Sequence, residues 1–190
     1  MTINRDDNIT GVKSTESAKE QLFNMIGMQS VKDVLEAYDV RDKQSTSNYT
    51  DLTASRLNPN LPKTEKKAEM IHFVLTGNPG TGKTTVAKLL GQMFYEMGYL
   101  ESGHVVEVNR SQLIGEYIGQ TAIKTADYIQ KAMGGVLFID EAYTLKRSDD
   151  NDHDFGQEAI DTLLKAMDQY KGKFIVVAAG YPKEMDTFIN

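Results

Sequence analysis

The segment Gly77-Asn78-Pro79-Gly80-Thr81-Gly82-Lys83-Thr84 fits the pattern G-x-x-x-x-G-K-[S/T], and the apolar run Ile71-His72-Phe73-Val74-Leu75-Thr76 leads straight into it. A loop that wraps an anionic phosphate chain must present backbone N–H groups at close range, which calls for glycines with no Cβ in the way. Lys83 is then placed to reach the β- and γ-phosphates, and the Thr84 hydroxyl to ligate Mg²⁺. The motif requires a strand before it and a helix after it. Both are expected here, because Val86, Leu89, Leu90, Met93, Phe94 and Met97 trace one helical face that Gly98 ends.

A second constellation lies downstream. Gly134-Gly135 release the chain into Val136-Leu137-Phe138-Ile139, and the run ends in Asp140-Glu141. Four apolar residues in a row suit a strand covered on both faces of a parallel sheet, and acids at its C-terminal end project where ligands of open α/β sheets bind. Asp140 is the candidate to hold Mg²⁺ through water, and Glu141 the candidate to polarise an attacking water.

The rest of the chain alternates strand and helix, as in a parallel sheet with helices on both faces. Val105 to Val108 reads as a second strand and Phe174 to Ala179 as a fourth. A helix between them carries Ala122, Thr125, Ala126, Ile129, Ala132 and Met133 inward. Another, opened by Asp154 with Gln157 as a capping box, buries Ile160, Leu163, Leu164 and Met167. Toward the N-terminus, Ser14-Thr15 caps a short helix with Leu22, Phe23 and Ile26 inward, stopped by Gly27. Ser30 caps a second helix with Val31, Val34, Leu35 and Tyr38 on one stripe. Residues 41–70 are polar, carry Pro59 and Pro62, and read as a long loop.

Composition excludes several function classes. With 190 residues and 40% hydrophobic content the chain can build one sizeable core. Twenty-one basic against 27 acidic residues leave a formal charge of −6 and no basic cluster dense enough for duplex DNA, so nucleic acid is not the favoured partner. No apolar run approaches a membrane span, no opening stretch reads as a signal peptide, and cysteine is absent, which together fit a cytoplasmic setting. The acidic stretch from Arg147 to Asp154 lacks the glycine turn and closing glutamate of a calcium loop and reads as solvated. His72 and His104 read as structural.

The two nucleotide motifs, together with Tyr117-Ile118-Gly119-Gln120-Thr121-Ala122, Asp154 to Ile160 and Ala179-Gly180-Tyr181, resemble the AAA+ ATPases. The likeness is narrower still to the branch that contains the stage V sporulation protein K type and the red-type Rubisco activases. This resemblance implies an α/β P-loop NTPase core, a parallel sheet flanked by helices, over residues 71–190. Residues 1–70 are then N-terminal helices and a polar linker that includes an adenine-side segment around Ile26 and Gly27. It also implies that Asn78, Pro79, Gly80, Thr81, Gly82, Lys83, Thr84 and Thr85 hold ATP, that Thr84 and Asp140 hold Mg²⁺, and that Glu141 is the catalytic base. Asn109 falls where the family restrains that base. Tyr117 and Ile118 fall where a pore loop grips a protein substrate.

By the same resemblance the active form is a homo-oligomeric, hexameric ring that hydrolyses ATP to remodel a protein. A nucleotide-dependent binding or scaffolding module without turnover is the alternative. Against the family pattern, the fifth strand, the arginine finger and the helical lid are missing from the chain, which reads as a fragment. Ile71 to Thr76 would then be an exposed sheet edge. Loss of the finger alone would cost on the order of 10³ to 10⁵ in rate.

Overall fold

The computed structural model describes residues 17–25, 32–33, 35–37, 72–117, 119–146 and 155–189. Its strands β1 (Phe73–Thr76), β2 (Val105–Val108), β3 (Val136–Ile139) and β4 (Ile175–Gly180) form one parallel sheet in the order β1-β4-β3-β2. The helices with defined bounds are α1 (Ala18–Asn24), α2 (Lys83–Glu96), α3 (Arg110–Leu113), α4 (Gln120–Ala132), α5 (Phe155–Gln169) and α6 (Pro182–Ile189), and residues 32–33 and 35–37 are helical as well. A 3₁₀ turn spans Ala142–Lys146. The α/β P-loop architecture expected from the sequence is therefore the one observed.

The uninterrupted apolar run of β3 has a direct structural reason. Its side chains alternate between two cores. Val136 and Phe138 join Leu75, Ile175 and Val177 beneath α2, where Val86, Leu90, Met93 and Phe94 are buried along with Leu22 of α1 and Leu35. Leu137 and Ile139 join Val108 and Val176 on the opposite face, against Ile129, Leu163, Phe174 and Met185. Burying Phe94, Phe138 and Phe174 contributes about 1.5–3 kcal/mol for each ring.

Several elements depart from expectation in ways that have a cause. α1 is capped by Ser17, whose hydroxyl accepts from the Glu20 N–H while Glu20 accepts from the Ser17 N–H. This complete capping box sets the start later than Ser14-Thr15. The helix ends at Asn24, ahead of Gly27. β1 begins at Phe73 rather than residue 71, because His72 turns its ring to β4 and accepts the Val176 N–H on Nδ1 at 3.0 Å. In α4 Thr121 is buried along with the expected Thr125, and Ala126 faces outward.

In α5 the stripe turned inward is Gly156, Ala159, Leu163 and Ala166, so Leu164 is 56% exposed and Ile160 and Met167 are half-buried. Small residues lie inward because the 3₁₀ turn is so close. A Cβ on Gly156 would stand 1.8 Å from the Leu145 carbonyl oxygen. The α5 cap at Asp154, the acidic stretch 147–154, the loop 41–70 and the positions Ser30, Val31, Val34 and Tyr38 lie outside the described residues, as do Ile26 and Gly27. β1 pairs with β4 alone among the described residues, and Val74 is 48% exposed, so this strand is the edge of the described sheet.

Candidate functional site

Strand order brings the two sequence motifs together. β4 lies between β1 and β3, so the loop that leaves β1 and the acids that end β3 flank the end of β4 at the C-terminal edge of the sheet. The ladder continues into the site on both sides. The Gly77 N–H donates to the Gly180 carbonyl at 3.1 Å, and the Asp140 N–H to that of Val108 at 2.8 Å.

Gly80 and Gly82 hold φ of 75° and 83°, a left-handed conformation that a residue with a Cβ adopts only under strain. Gly82 is the N-cap of α2 and offers no side chain to its first N–H groups, which remain directed at whatever lies before the helix. Lys83 folds back, its Nζ donating to the carbonyls of Gly77 at 2.9 Å and Asn78 at 3.0 Å, while the Thr81 hydroxyl donates to Asn78 at 2.8 Å. A Cβ at Gly80 would meet nothing within 4 Å, so open space lies over the loop. An exposed, left-handed, amide-rich turn with a lysine at its base fits a phosphate chain.

The Met25 methyl group lies 3.6 Å from where a Cβ on Gly82 would be, which brings the start of the expected adenine-side segment beside the loop.

At the end of β3, Glu141 has φ of 50° and is the only non-glycine with positive φ among the described residues. Its N–H donates to Asp140 Oδ1 at 3.0 Å, and its carbonyl accepts from both the N–H and the hydroxyl of Thr144. The backbone is thereby forced through a turn that leaves both carboxylates exposed toward the loop edge, a strained arrangement of the kind that collects at functional sites. Arg110 steadies the same turn from α3, donating to the Thr144 carbonyl at 2.6 Å and to that of Leu145 at 3.2 Å.

Tyr181, just past the end of β4, is near the position where the family resemblance expects a residue that senses the γ-phosphate. The Tyr181 hydroxyl donates to Glu141 Oε1 at 3.4 Å, its ring centroid is 5.7 Å from Lys83 Nζ, and it packs on Tyr143 at 5.9 Å between centroids. Partial desolvation, then the Glu141 carboxylate, push the hydroxyls of Tyr143 and Tyr181 above the ordinary tyrosine value.

Asn109 ends β2 beside this group, but its amide oxygen caps α3, accepting from the N–H and hydroxyl of Ser111. Tyr117 is 68% exposed at the end of a segment clamped from α4. Thr121 accepts the Gly115 N–H, Thr125 donates to the Leu113 carbonyl, and Lys124 donates to that of Ile114. Ile118 lies outside the described residues. No group of three or more metal-ligating acids, histidines or cysteines occurs among the described residues. A magnesium ion that shares its ligands with phosphate oxygens needs no such cluster.

Residues 73–189 match the family model described as ATPase family associated with various cellular activities (AAA). The chain belongs to the AAA family. Among curated AAA relatives, stage V sporulation protein K of Bacillus subtilis (strain 168) is 54% identical over 122 residues, 64% of this chain and 37% of that protein. Protein CbbX of Cereibacter sphaeroides is 51% identical over 120 residues, 63% of this chain and 38% of its own length. The chloroplastic ribulose bisphosphate carboxylase/oxygenase activase of Cyanidioschyzon merolae (strain NIES-3377 / 10D) is 49% identical over 118 residues, 62% of this chain and 40% of that activase. The AAA chain thus spans about two fifths of the length of the relatives it matches. AAA membership carries ATP binding with it, and no described helix is long and apolar enough to cross a membrane.

Proposed function

We propose that this chain forms the ATP-binding and ATP-hydrolysing core of a ring-forming protein-remodelling ATPase. The observation that carries the reading is the convergence of Lys83 and the Asp140-Glu141 pair on either side of the end of β4. Residues Asn78 to Thr85 cradle the phosphates, with Lys83 leaving the Gly77 and Asn78 carbonyls to meet them. Thr84 and Asp140 are the residues that would hold magnesium, which when bound neutralises phosphate charge. Glu141 orients water and takes its proton. Asn109, at the end of the neighbouring strand, lines the side of this group nearest α3. Met25 leads into the Ile26-Gly27 segment on the adenine side.

Phosphoryl transfer asks the protein for position and charge more than for covalent chemistry, so these side chains supply this chain's part of the step, and full turnover needs the arginine that a ring neighbour provides. Tyr117 and Ile118 grip the client polypeptide in the ring. A relative named for its activation of ribulose bisphosphate carboxylase/oxygenase supports a protein as the class of client. The exposed aromatic on a clamped loop supports Tyr117 as the contact.

Glu141→Gln tests the catalytic assignment. It keeps ATP bound, measured by calorimetry, and lowers phosphate release by on the order of 10² to 10⁴. Turnover at the wild-type rate by this variant refutes the role. A module that switches partners without hydrolysis would show no phosphate release in the wild-type protein either.

A further inference from the structure

Glu141 sits in a backbone conformation that its own side chain disfavours, and the chain of contacts that holds it there ends on Arg110. At φ of 50° a residue with a Cβ is strained, and such a conformation persists only where its surroundings over-determine it. Asp140 takes the Glu141 N–H, and Thr144 donates both its N–H at 2.8 Å and its hydroxyl at 2.7 Å to the Glu141 carbonyl. The Thr144 carbonyl in turn accepts from Arg110 Nη1 at 2.6 Å, and the Leu145 carbonyl accepts from the same nitrogen at 3.2 Å. Bonds from a cation are stronger than those between neutral groups. Arg110 is itself anchored. Asn109 caps α3 through a complete capping box, which fixes the first residue of that helix at the end of β2, the strand whose Val108 carbonyl takes the Asp140 N–H. Gly156 leaves room for the guanidinium, since a Cβ there would stand 3.1 Å from Nη1.

From this geometry we infer that Arg110 is a positioning residue for the reaction: it acts through the main chain of residues 144 and 145 to keep Glu141 left-handed, and so sets where the carboxylate stands. The inference rests on the reading of Glu141 as the base given above. Relaxation of one backbone angle swings the Cβ and everything beyond it. A carboxylate displaced by on the order of an ångström loses on the order of a hundredfold in rate, while phosphate binding by the loop is untouched.

Arg110→Met keeps the apolar stem and removes the donor, and Arg110→Lys keeps a cationic donor. In the chain without nucleotide, the NMR shifts of Glu141 and the three-bond coupling between its N–H and Cα–H report φ directly. They should leave the left-handed region in Arg110→Met and stay in it in Arg110→Lys, with the signals of Gly80 and Gly82 unmoved in both. In the assembled protein, Arg110→Met should lower kcat for phosphate release by about tenfold to a hundredfold with KM for ATP within about twofold, and Arg110→Lys should recover most of the rate. Thr144→Val breaks the same chain of contacts at the Glu141 end without touching Arg110. It should lower kcat alone by about threefold to tenfold, and combined with Arg110→Met it should add little.

Glu141 signals that stay in place in Arg110→Met overturn the inference. So does equal turnover by the Met and Lys variants, or a rise in KM with kcat unchanged, which would put Arg110 in nucleotide binding. Should Arg110→Met fail to fold, wild-type kcat in Thr144→Val overturns it instead. Glu141→Gln separates the two levels of the argument. Wild-type turnover by that variant sinks the reading of Glu141 as base; an inactive Glu141→Gln beside a fully active Arg110→Met sinks the positioning role alone.

Discussion

The two ends of the sheet carry similar chemistry and use it in opposite ways. At the N-terminal ends of the strands, His72 takes the Val176 N–H on Nδ1. His104 donates from Nε2 to the Lys131 carbonyl at 2.8 Å while its Nδ1 meets the Ser102 hydroxyl. Both rings are committed to polar groups that are fixed parts of the fold. At the C-terminal ends, the Lys83, Glu141 and Tyr181 side chains meet groups that they can exchange for a ligand: loop carbonyls, a hydroxyl at 3.4 Å, a ring face. A titratable side chain is structural when its partner is immovable and functional when its partner can be replaced. Variants at one end should therefore change binding with little effect on stability, and variants at the other should do the reverse.

The largest expected effect comes from Lys83→Ala. Removing the ammonium deprives the phosphate chain of its one side-chain cation in the loop, and nucleotide affinity should fall by on the order of a hundredfold or more, about 3 kcal/mol. The lost hydrogen bonds to Gly77 and Asn78 lie at the edge of solvent, so stability in urea should stay within about 0.5 kcal/mol of wild type. A large loss of stability with binding retained would erase the contrast between the two ends.

Away from either end, Gly156→Ala should break the fold and spare the site. The new methyl group would stand 1.8 Å from the Leu145 carbonyl oxygen, a backbone atom that cannot swing aside as a side chain would. Overpacking should outweigh the better helix propensity of alanine and cost about 1–3 kcal/mol, read from the urea midpoint. Nucleotide affinity of the folded fraction should remain within about twofold of wild type. Displacement of Leu145 could also pull on the turn that fixes Glu141, so a tenfold change in affinity would show that the 3₁₀ turn couples packing to the site.

Much of this arrangement can be read from the chain because it is encoded locally. Glycines at the two left-handed positions of the loop, the both-faces burial of Val136 to Ile139, and the bounds of β2 need only nearest neighbours and strand periodicity. What depended on tertiary packing was less legible. Leu164 is the larger apolar residue, yet Gly156 and Ala166 face inward because the neighbouring turn and α4 leave room only for small groups. Ala126 and Thr121 exchange places for a related reason: Thr121 is drawn inward by the Gly115 N–H that it accepts. α3 and the 3₁₀ turn are too short for any period to show. The contacts of Tyr181 with both Glu141 and Lys83 follow from β4 being inserted between β1 and β3, a strand order that local periodicity does not state.

The smallest effect tests the N-terminal end, where stability should depend on pH through His72. Its Nδ1 can accept the Val176 N–H only while the ring is neutral, its Nε2 is buried with no partner among the described residues, and burial lowers its pKa below 6.5. The unfolded chain takes up a proton near pH 6.5 and the folded chain resists it. The stabilising contribution is therefore complete above that pH and is lost as pH falls through the lower folded value. The slope should be a fraction of the about 1.4 kcal/mol per pH unit that one proton can supply, because the ring is only partly buried. Urea unfolding at a series of pH values between neutral and mildly acidic, repeated on His72→Asn, isolates the term: the difference between the two proteins should shrink on acidification. A difference that stays constant would mean that the ring takes up its proton as readily in the fold as in the unfolded chain, which the Val176 N–H contact opposes, and the division between immovable and replaceable partners would then fail at its clearest example.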